Sequence, residues 1–320
     1  MQAGREALRD LQHGRDHRRL AVIVGPCSIH DPEGALDYAR RLARLAGTLS
    51  DALLVMMRVF VEKPRTHVGW KGLVNDPARD GSCDVGLGLA TARQVMLRVN
   101  DLGLPCATEM LEPFTAPYLR DLVAWGGVGA RTSESPIHRQ LASDAPYPVG
   151  FKNGTDGGVE VAVHAMRAAA APQAFPALAD DGRCVVRHTH GNRDVHLVLR
   201  GGRGGPNHDE VSIAKAARHA SELGVARSVL VDCSHANAEG DPRNQARVCR
   251  SVLDAANGGA RGLLGLMLES YLDPGRQDAR PGQSLRYGVS ITDPCIGWDE
   301  TQALLGEVAE RVRREGSGVL

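Results

Sequence analysis

The segments GVGARTSES (127–135) and PVGFKNGTDGG (148–158) share one pattern. Each is a short apolar run that ends on a cation, Arg131 or Lys152, and then continues into Gly, Ser, Thr and Asn. A lone cation at the inner end of a buried strand is costly unless an anion accompanies it. Because the pattern occurs more than once, we expect the ends of these strands to share a purpose.

Eight apolar runs alternate with segments of helical period along the chain. They cover residues 21–25, 53–60, 105–111, 127–131, 148–152, 196–200, 228–234 and 263–270. Eight strands, each followed by a helix, predict an α/β fold that closes as a (β/α)8 TIM barrel. A doubly wound open sheet is the alternative. No G-x-G-x-x-G with a ribose-binding acid follows the first strand, which argues against a dinucleotide site.

Signals between the runs place helices and two insertions. Asp31 as N-cap and Pro32 at the first helical position begin one helix, and residues 115–125, TAPYLRDLVAW, also have a helical pattern. Residues 61–85 form a long Gly- and Pro-rich loop after the second strand, and loops of this length are usually functional or disordered. Residues 183–200 are predicted to form a β-hairpin inserted before the sixth strand.

The predicted domain organisation is an N-terminal helix with its lead-in (1–20) and a single catalytic barrel (21–320). Acidic and basic residues balance at 38 each, which gives no support for a nucleic-acid or membrane-surface partner. The seven cysteines are odd in number and contain no CxxC, so a disulfide framework is not expected. No apolar stretch approaches a membrane span. These features predict a soluble cytoplasmic protein.

Chemistry in a TIM barrel lies at the carboxyl ends of the strands. Every predicted strand ends in or near a polar functional group. Because a barrel rim converges on one point, these groups are expected to share a pocket. In strand order they are Cys27, Arg58 with Lys63 beyond it, Glu109, Arg131, Lys152, Arg200, Asp232 with His235, and Glu269.

Five of these groups are cations that would repel one another without an anion among them. Phosphate plus carboxylate on one ligand fits, since Arg binds both in a bidentate manner. A lysine that loses its proton would relieve the repulsion and suit proton transfer. The five are Arg58, Lys63, Arg131, Lys152 and Arg200.

A second set, Cys27, His235, Glu269 and Asp293, combines one sulfur, one imidazole and two carboxylates. This donor set suits one divalent ion of Mn, Fe, Co or Zn better than Mg or Ca. Taken singly, Cys27 also reads as a small buried hydrophobe and His235 as a core histidine. Asp232 is a candidate for supporting the ligands or for contacting a second substrate.

Three histidines in the predicted hairpin raise the possibility of a second metal cluster. A solvated ribbon is the favoured interpretation of this segment. The three are His188, His190 and His196.

Seven motifs, taken together, resemble the type I 3-deoxy-D-arabino-heptulosonate 7-phosphate (DAHP) synthases, the microbial group with aromatic feedback. The similarity runs from about residue 4 to residue 312. It implies a TIM barrel that condenses phosphoenolpyruvate with D-erythrose 4-phosphate to DAHP and phosphate, the first step of the shikimate pathway, in a homodimer or homotetramer. The motifs are GPCSIHDP, MRVFVEKPRTHVGWKGLVNDP, GARTSES, GFKNGTDG, LRGG, DCSHAN and SITDPCIGW.

The resemblance also implies a role for each matched residue. Lys63, Glu109, His235 and Asp293 are the implied catalytic group, with Glu109 near the reacting water. The implied metal ligands are Cys27, His235, Glu269 and Asp293. The implied phosphoenolpyruvate contacts are Arg58, Lys63, Arg131, Lys152 and Arg200, and the implied erythrose 4-phosphate contacts are Pro64, Arg65 and Thr66, with Asp293 nearby.

The chain departs from the feedback-regulated members of that family in the regions that form the effector site. The segment before the first helix is nearly absent, and Ala116, Ala145 and Ala177 stand where bulkier or more specific residues are usual, while Phe175 remains. We therefore expect weak or no inhibition by phenylalanine, tyrosine or tryptophan. Such an enzyme would suit a pathway of secondary metabolism.

Three alternatives remain open from the sequence. The 3-deoxy-octulosonate 8-phosphate enzymes use a longer sugar phosphate on the same scaffold, although the KPRT motif (63–66) favours erythrose 4-phosphate. A variant could act on an amino analogue of that sugar. A non-catalytic regulatory partner is the third, and retention of the predicted metal and phosphoenolpyruvate positions argues against it.

Overall fold

A computed structural model describes residues 1–65, 69–179, 181–221, 223–224, 226, 228–279 and 284–315. Thr66, one of the predicted substrate contacts, lies outside the described residues. The described residues contain ten strands: β1 Leu20–Gly25, β2 Leu53–Arg58, β3 Cys106–Glu109, β4 Val123–Val128, β5 Val149–Lys152, β6 Gln173–Leu178, β7 Cys184–Thr189, β8 Val195–Leu199, β9 Val229–Asp232 and β10 Leu263–Glu269.

Eight of these strands close into a barrel in the order β1-β10-β9-β8-β5-β4-β3-β2, and every neighbouring pair is parallel. The predicted (β/α)8 barrel is therefore confirmed. All barrel strands are buried along their whole length, as parallel strands covered by helices require.

Helices pack around the barrel and follow the strands in sequence. Asp31 accepts a hydrogen bond from the backbone N–H of Glu33, which confirms the predicted N-cap of the second helix. The helices are α1 Gln2–Gln12, α2 Pro32–Leu49, α3 Val85–Asp101, α4 Ala116–Leu119, α5 Pro136–Asp144, α6 Glu160–Ala170, α7 Glu210–Ser221, α8 Asn244–Asn257 and α9 Trp298–Glu315, with a 3-10 turn at His235–Ala238. None of them, within the described chain, is long and apolar enough to cross a membrane.

The inserted hairpin is present before the sixth barrel strand, but its strands differ from the prediction. β7 pairs antiparallel with β6, which lies in a segment without a clear pattern, and β8 belongs to the barrel. Residue His196 is consequently fully buried in the barrel rather than solvated on a ribbon. The error arises because an apolar strand followed by a turn and another apolar strand gives the same local pattern for a hairpin and for a crossover.

The predicted helix over residues 115–125 is also wrong in its second half. α4 ends at Leu119, and Val123 begins β4, which ends at Val128 rather than at Arg131. Trp125 explains the difference, since its ring is fully buried in the barrel and its Nε1 donates to His196 Nε2 at 3.0 Å. Burial of this large ring favours the strand over the local helical pattern.

Helix α1 closes the amino end of the barrel. Leu8 and Leu11 are fully buried and pack with side chains from the barrel interior. Arg5 donates to the carbonyl of Val123 at 2.8 Å, and Gln12 donates to the carbonyl of Val195 at 3.0 Å. These bonds satisfy carbonyls at the first residues of β4 and β8. Because α1 covers this end of the barrel, ligands can reach the interior from the carboxyl end.

Candidate active site at the carboxyl end of the barrel

Three of the four predicted metal ligands converge in the structure. One ligand atom each from Cys27, Glu269 and Asp293 lies within 4.8 Å of the other two. The Cys27 Sγ is 3.3 Å from Asp293 Oδ2. His235 Nε2 lies 4.0 Å from Glu269 Oε1, at the edge of the same group. A cavity of about 200 Å³ adjoins His235, Glu269 and Asp293.

The donors at this place fit a divalent transition-metal ion. Burial, and then the charge of Glu269, raise the pKa of the Cys27 thiol to about 12. A neutral thiol is therefore the stable form of this side chain beside two carboxylates. A bound cation would offset the repulsion among these groups and would deprotonate the thiol. One sulfur, one imidazole and two carboxylates match the softer divalent ions.

His235 is held in a fixed orientation by its neighbours. Its Nδ1 lies 2.9 Å from Asp232 Oδ2 and 2.7 Å from Ser234 Oγ. Its backbone has φ +52°, a conformation that costs a non-glycine residue energy and that recurs at functional sites. A carboxylate on one ring nitrogen leaves the other free for a metal, so Nε2 is the nitrogen that faces the ligand group.

Arg58 and Lys152, both among the predicted cations, are paired with carboxylates. Arg58 Nη2 lies 2.9 Å from Glu269 Oε1, and both side chains are at least 98% buried. Lys152 Nζ lies 2.9 Å from Asp232 Oδ2. Although burial opposes ionisation, His235 and Lys152 hold the pKa of Asp232 well below its usual range. Asp232 therefore contacts both a predicted cation, Lys152, and a predicted metal ligand, His235. The four predicted metal ligands, Cys27, His235, Glu269 and Asp293, are called the metal group below.

Lys63 extends over the metal group instead of losing its proton. Its Nζ donates to the Cys27 carbonyl at 3.0 Å and lies 3.1 Å from Cys27 Sγ. Burial alone would lower the pKa of Lys63, but Cys27 and then Glu269 raise it above its ordinary value. The prediction that a lysine of this cluster has a lowered pKa is therefore wrong for Lys63. Carboxylates and the Cys27 sulfur act on it more strongly than the other cations do.

Arg200 directly follows β8, and Arg131 lies three residues beyond the end of β4, at the same rim. Arg131 and the exposed Arg203 line an open cavity of about 430 Å³ with the loop that follows β5. The backbone N–H of Arg200 donates to Asn153 Oδ1 at 2.8 Å, which ties the sixth barrel strand to the fifth. Glu134, Asp156 and Glu160 line the same cavity, so its lining carries both signs of charge.

Glu109 is the last residue of β3 and is 8% exposed. A Cβ placed on Gly129 would lie 2.5 Å from Glu109 Oε1, so the carboxylate packs against the backbone of the GARTSES segment. The charge of Glu109 also contributes to raising the pKa of Lys63. Glu109 is therefore close enough to Lys63 to act on its charge.

The long loop after β2 is partly ordered by its own backbone. Lys63 N–H donates to the carbonyl of Lys71 at 2.9 Å, and Val74 N–H donates to that of Val61 at 3.1 Å. Pro64 is half-buried and Arg65 is exposed just beyond Lys63. This ladder holds two of the three predicted erythrose 4-phosphate contacts at the barrel mouth.

Two supporting residues were missed by the sequence reasoning. Gln245 of α8 is fully buried and forms two hydrogen bonds with the backbone of Glu269, at 2.8 and 2.9 Å. Asn153 is fully buried and donates to the carbonyl of Gly201 at 3.0 Å. Asn153 could have been found because it follows Lys152 at a strand end. Gln245 carries no such signal, since a polar residue in a helix is normally solvated.

Comparison with known proteins places the chain in a family. The model of the DAHP synthetase I family matches residues 2–306. The Tyr-sensitive phospho-2-dehydro-3-deoxyheptonate aldolase of Escherichia coli K12 is 48% identical over 305 residues, which are 95% of this chain and 85% of the relative. The Phe-sensitive enzyme of the same strain is 46% identical over 309 residues, 97% of this chain and 88% of the relative.

A solved structure of phospho-2-dehydro-3-deoxyheptonate aldolase from Francisella tularensis SCHU S4 superimposes with a TM-score of 0.93 at 39% identity, covering 98% of this chain and 92% of that one. The barrel with a charged carboxyl end defines an enzyme that handles small anions. The chain belongs to the DAHP synthetase I family and is an enzyme of the DAHP synthase class.

Proposed function

We propose that this enzyme is a metal-dependent DAHP synthase that condenses phosphoenolpyruvate with D-erythrose 4-phosphate. The observation that carries the proposal is the juxtaposition of the Cys27, Glu269 and Asp293 ligand atoms, within 4.8 Å, with the Lys63 ammonium 3.1 Å from Cys27 Sγ. A metal ion held by these ligands would supply an electrophile beside a cation that can bind anions. The relatives named above carry the same activity in their names.

The cations of the rim have the role of binding phosphoenolpyruvate. Arg131, Lys152 and Arg200 would contact its phosphate and carboxylate, and Arg58 and Lys63 complete the set from the second strand and its loop. Holding both anionic groups fixes C3 of the enol toward the second substrate, which lowers the entropy lost at the reacting carbons. The Lys152–Asp232 pair keeps this cation directed into the mouth.

A divalent ion held by Cys27, His235, Glu269 and Asp293 would supply Lewis acidity toward the aldehyde of erythrose 4-phosphate. In the reaction, C3 of phosphoenolpyruvate forms a bond to that carbonyl carbon. Lys63 stabilises the oxyanion that develops. Pro64, Arg65 and Thr66 are the proposed contacts of the aldose phosphate.

Water then adds at C2, and phosphate leaves with cleavage of the C–O bond. Glu109 would accept a proton from the attacking water, because its carboxylate lies beside the residues that bind phosphoenolpyruvate.

The test is phosphate release by the purified protein with both substrates, with and without a chelator. We expect turnover that is lost on chelation and restored by manganese. Arabinose 5-phosphate and an amino analogue of erythrose 4-phosphate form the comparison panel, and preference for either would replace the proposed aldose. Absence of turnover with every metal would favour a non-catalytic partner.

Arg131→Ala provides a second arm of this test. It should abolish phosphoenolpyruvate binding while bound metal stays at the wild-type level. Arg218→Ala, an exposed arginine on α7, is the matched control and should change neither. Loss of both metal and phosphoenolpyruvate in Arg131→Ala would contradict the separate roles.

The proposal includes insensitivity to phenylalanine, tyrosine and tryptophan, in contrast to relatives whose names state sensitivity. A cavity of about 580 Å³ lies between α1, α4 and β6. Its one lining carboxylate among the described residues, Asp121, is bound by both Nη atoms of Arg93, at 2.8 and 2.9 Å. An α-ammonium group entering the cavity would compete with that pair. Its guanidinium groups belong to Arg5, Arg93, Arg120 and Arg187.

The space beside Ala116 and Ala145 supports the same conclusion. These residues line a separate cavity of about 30 Å³, which is too small for an aromatic ring. Millimolar additions of each amino acid should leave the rate unchanged, while the Tyr-sensitive relative is inhibited in the same assay. A micromolar inhibition constant would overturn this part of the proposal. Supply to secondary metabolism remains a prediction from the sequence.

We also propose a homo-oligomer. Val186 on the ribbon, Phe114 before α4 and Tyr118 within it are 63%, 61% and 52% exposed, and exposed apolar groups of this size suit a contact between copies. Light scattering should give a mass of two or four chains. A monomer at micromolar concentration would contradict it.

A further inference from the structure

Glu62 is a buried carboxyl group at the entrance of the active-site loop, and the proposed mechanism does not use it. It precedes Lys63 and is 4% exposed. Thr115, at the start of α4, donates from Oγ1 to Glu62 Oε1 at 2.8 Å. Thr115 is itself 7% exposed. A buried hydrogen bond of this kind links two segments that are 53 residues apart in the chain.

The backbone on the other side of Glu62 is tightly enclosed. A Cβ on Gly72 would lie 2.6 Å from the Glu62 Cα, so the strand-like segment 71–74 approaches it as closely as glycine permits. The ladder between residues 61–63 and 71–74 fixes the backbone position. Glu62 therefore lies between this ladder and the Thr115 hydroxyl, and the hydroxyl holds its side chain together with a hydrogen bond from the backbone of Glu112.

Successive side chains of an extended segment point to opposite sides. Glu62 faces Thr115, and Lys63 faces the metal group, where its Nζ reaches the Cys27 carbonyl and sulfur. A rotation of the segment that moved Glu62 would therefore move Lys63 as well. Pro64 and Arg65 follow immediately, and the restricted φ of proline transmits the direction of the chain to Arg65.

We propose that Glu62 and Thr115 form a positioning pair that sets the direction of the Lys63–Arg65 segment, and that this direction governs binding of the aldose phosphate. The inference rests on the proposed function, because it takes that segment as the contact for erythrose 4-phosphate. Phosphoenolpyruvate depends mainly on residues of other strands and is affected less.

The chemistry of the pair agrees with a neutral or easily neutralised carboxyl group. Burial raises the pKa of Glu62 to about 7, and the charges of Glu112 and Glu109 add to this, while the Thr115 hydrogen bond opposes it. Glutamine is thus the conservative replacement, since its amide oxygen accepts the same hydrogen bond.

The experiment compares Thr115→Val, which removes the donor at equal volume, with Thr115→Ser, which keeps it. Glu62→Ala and Glu62→Gln form the same contrast from the other side. Loss of the hydrogen bond should raise KM for erythrose 4-phosphate by about tenfold, the equivalent of one buried hydrogen bond. Bound metal and the Kd for phosphoenolpyruvate, measured by calorimetry without the aldose, should stay within about twofold of the wild type.

Thr189→Val is the matched control, because this threonine is 8% exposed and bonds Ser143 at 2.6 Å in the hairpin region. It should leave both substrate constants unchanged. The proposal is overturned if Thr115→Val has the wild-type KM, if Thr115→Ser is as impaired as Thr115→Val, or if phosphoenolpyruvate binding weakens equally. A wild type that binds phosphoenolpyruvate but does not turn over erythrose 4-phosphate would contradict the proposed function instead.

Discussion

The two ends of the barrel both bury polar side chains, but the partners of these side chains differ between the ends. At the carboxyl end, Arg58 is paired with Glu269 and Lys152 with Asp232, so charges are retained in the interior. At the amino end, α1 covers the opening, and Arg5 and Gln12 donate to strand carbonyls, so the buried Arg5 guanidinium hydrogen-bonds carbonyls rather than a carboxylate. Paired burial keeps groups ionised, whereas burial without a counter-charge favours the neutral form. Reactive groups are thus concentrated at one end.

Two histidines make the same comparison at the level of one residue type. His235 lies at the carboxyl end, 2.9 Å from Asp232. His196 lies inside the barrel, accepts from Trp125 Nε1, and has its pKa lowered to about 3 by burial. The first is a proposed metal ligand, and burial keeps the second neutral. Residue type alone does not separate them.

The largest effect is expected from Cys27→Ala, which removes a proposed metal ligand. Removal of a residue that only hydrogen-bonds a metal ligand typically costs up to ~100-fold in metal affinity or activity. Removal of the ligand itself should lower both activity and bound metal by more than that. Metal analysis and phosphate release measure the two. Cys106→Ala is the control, because Cys106 is equally buried but lies at the start of β3, and it should keep its metal. Full metal content in Cys27→Ala would remove this residue from the ligand group.

Leu8→Ala tests the closed end of the barrel. Its side chain is fully buried in the interior cluster, so the free energy of unfolding should fall by about 3 kcal/mol. Because the active site lies at the other end, kcat/KM should be unchanged under conditions where the variant is folded. Chemical denaturation and steady-state kinetics are the measurements. Leu87→Ala, 54% exposed on α3, should change neither, and a selective loss of kcat/KM in Leu8→Ala would show that the two ends are coupled.

Asp232→Asn tests the connection between the metal group and the cations. Loss of the carboxylate removes the partner of His235 and of Lys152 together. We expect a loss of about 10- to 100-fold in metal affinity or activity, as for other carboxylates that orient ligating histidines. Metal titration followed by the Kd for phosphoenolpyruvate separates the two contributions. Wild-type values for both would mean that neither partner needs this carboxylate.

The smallest effect concerns His196 and pH. Its pKa is about 3 in the folded chain, and the ordinary value is 6.5, so the unfolded chain binds the extra proton as pH falls. Stability from this group is present above pH 6.5 and is lost progressively down to pH 3. Between pH 7 and pH 5 the wild type should lose about 2 kcal/mol more than His196→Gln, whose amide can still accept from Trp125. Equal losses in denaturant titrations would contradict a neutral buried imidazole.

The barrel could be predicted from the sequence because its strands are continuous apolar runs that end in polar groups. The strand ends containing Cys27, Lys152 and Glu269 were predicted from the same pattern. The pairing of β6 with β7 could not be predicted from the sequence. Both strands are partly exposed, so their apolar residues show only a weak period. The start of β4 was missed because the burial of Trp125 depends on residues distant in the chain.

What the amino-acid sequence determined by itself is the alternation of strands and helices and the kinds of side chain at each strand end. Both follow from local patterns, because the period of apolar residues and the chemistry of one side chain are properties of short segments. Only the tertiary structure decided which cations are paired, which histidine is neutral, and that Thr115 meets Glu62. These depend on burial and on distances between segments that come together only when the barrel closes.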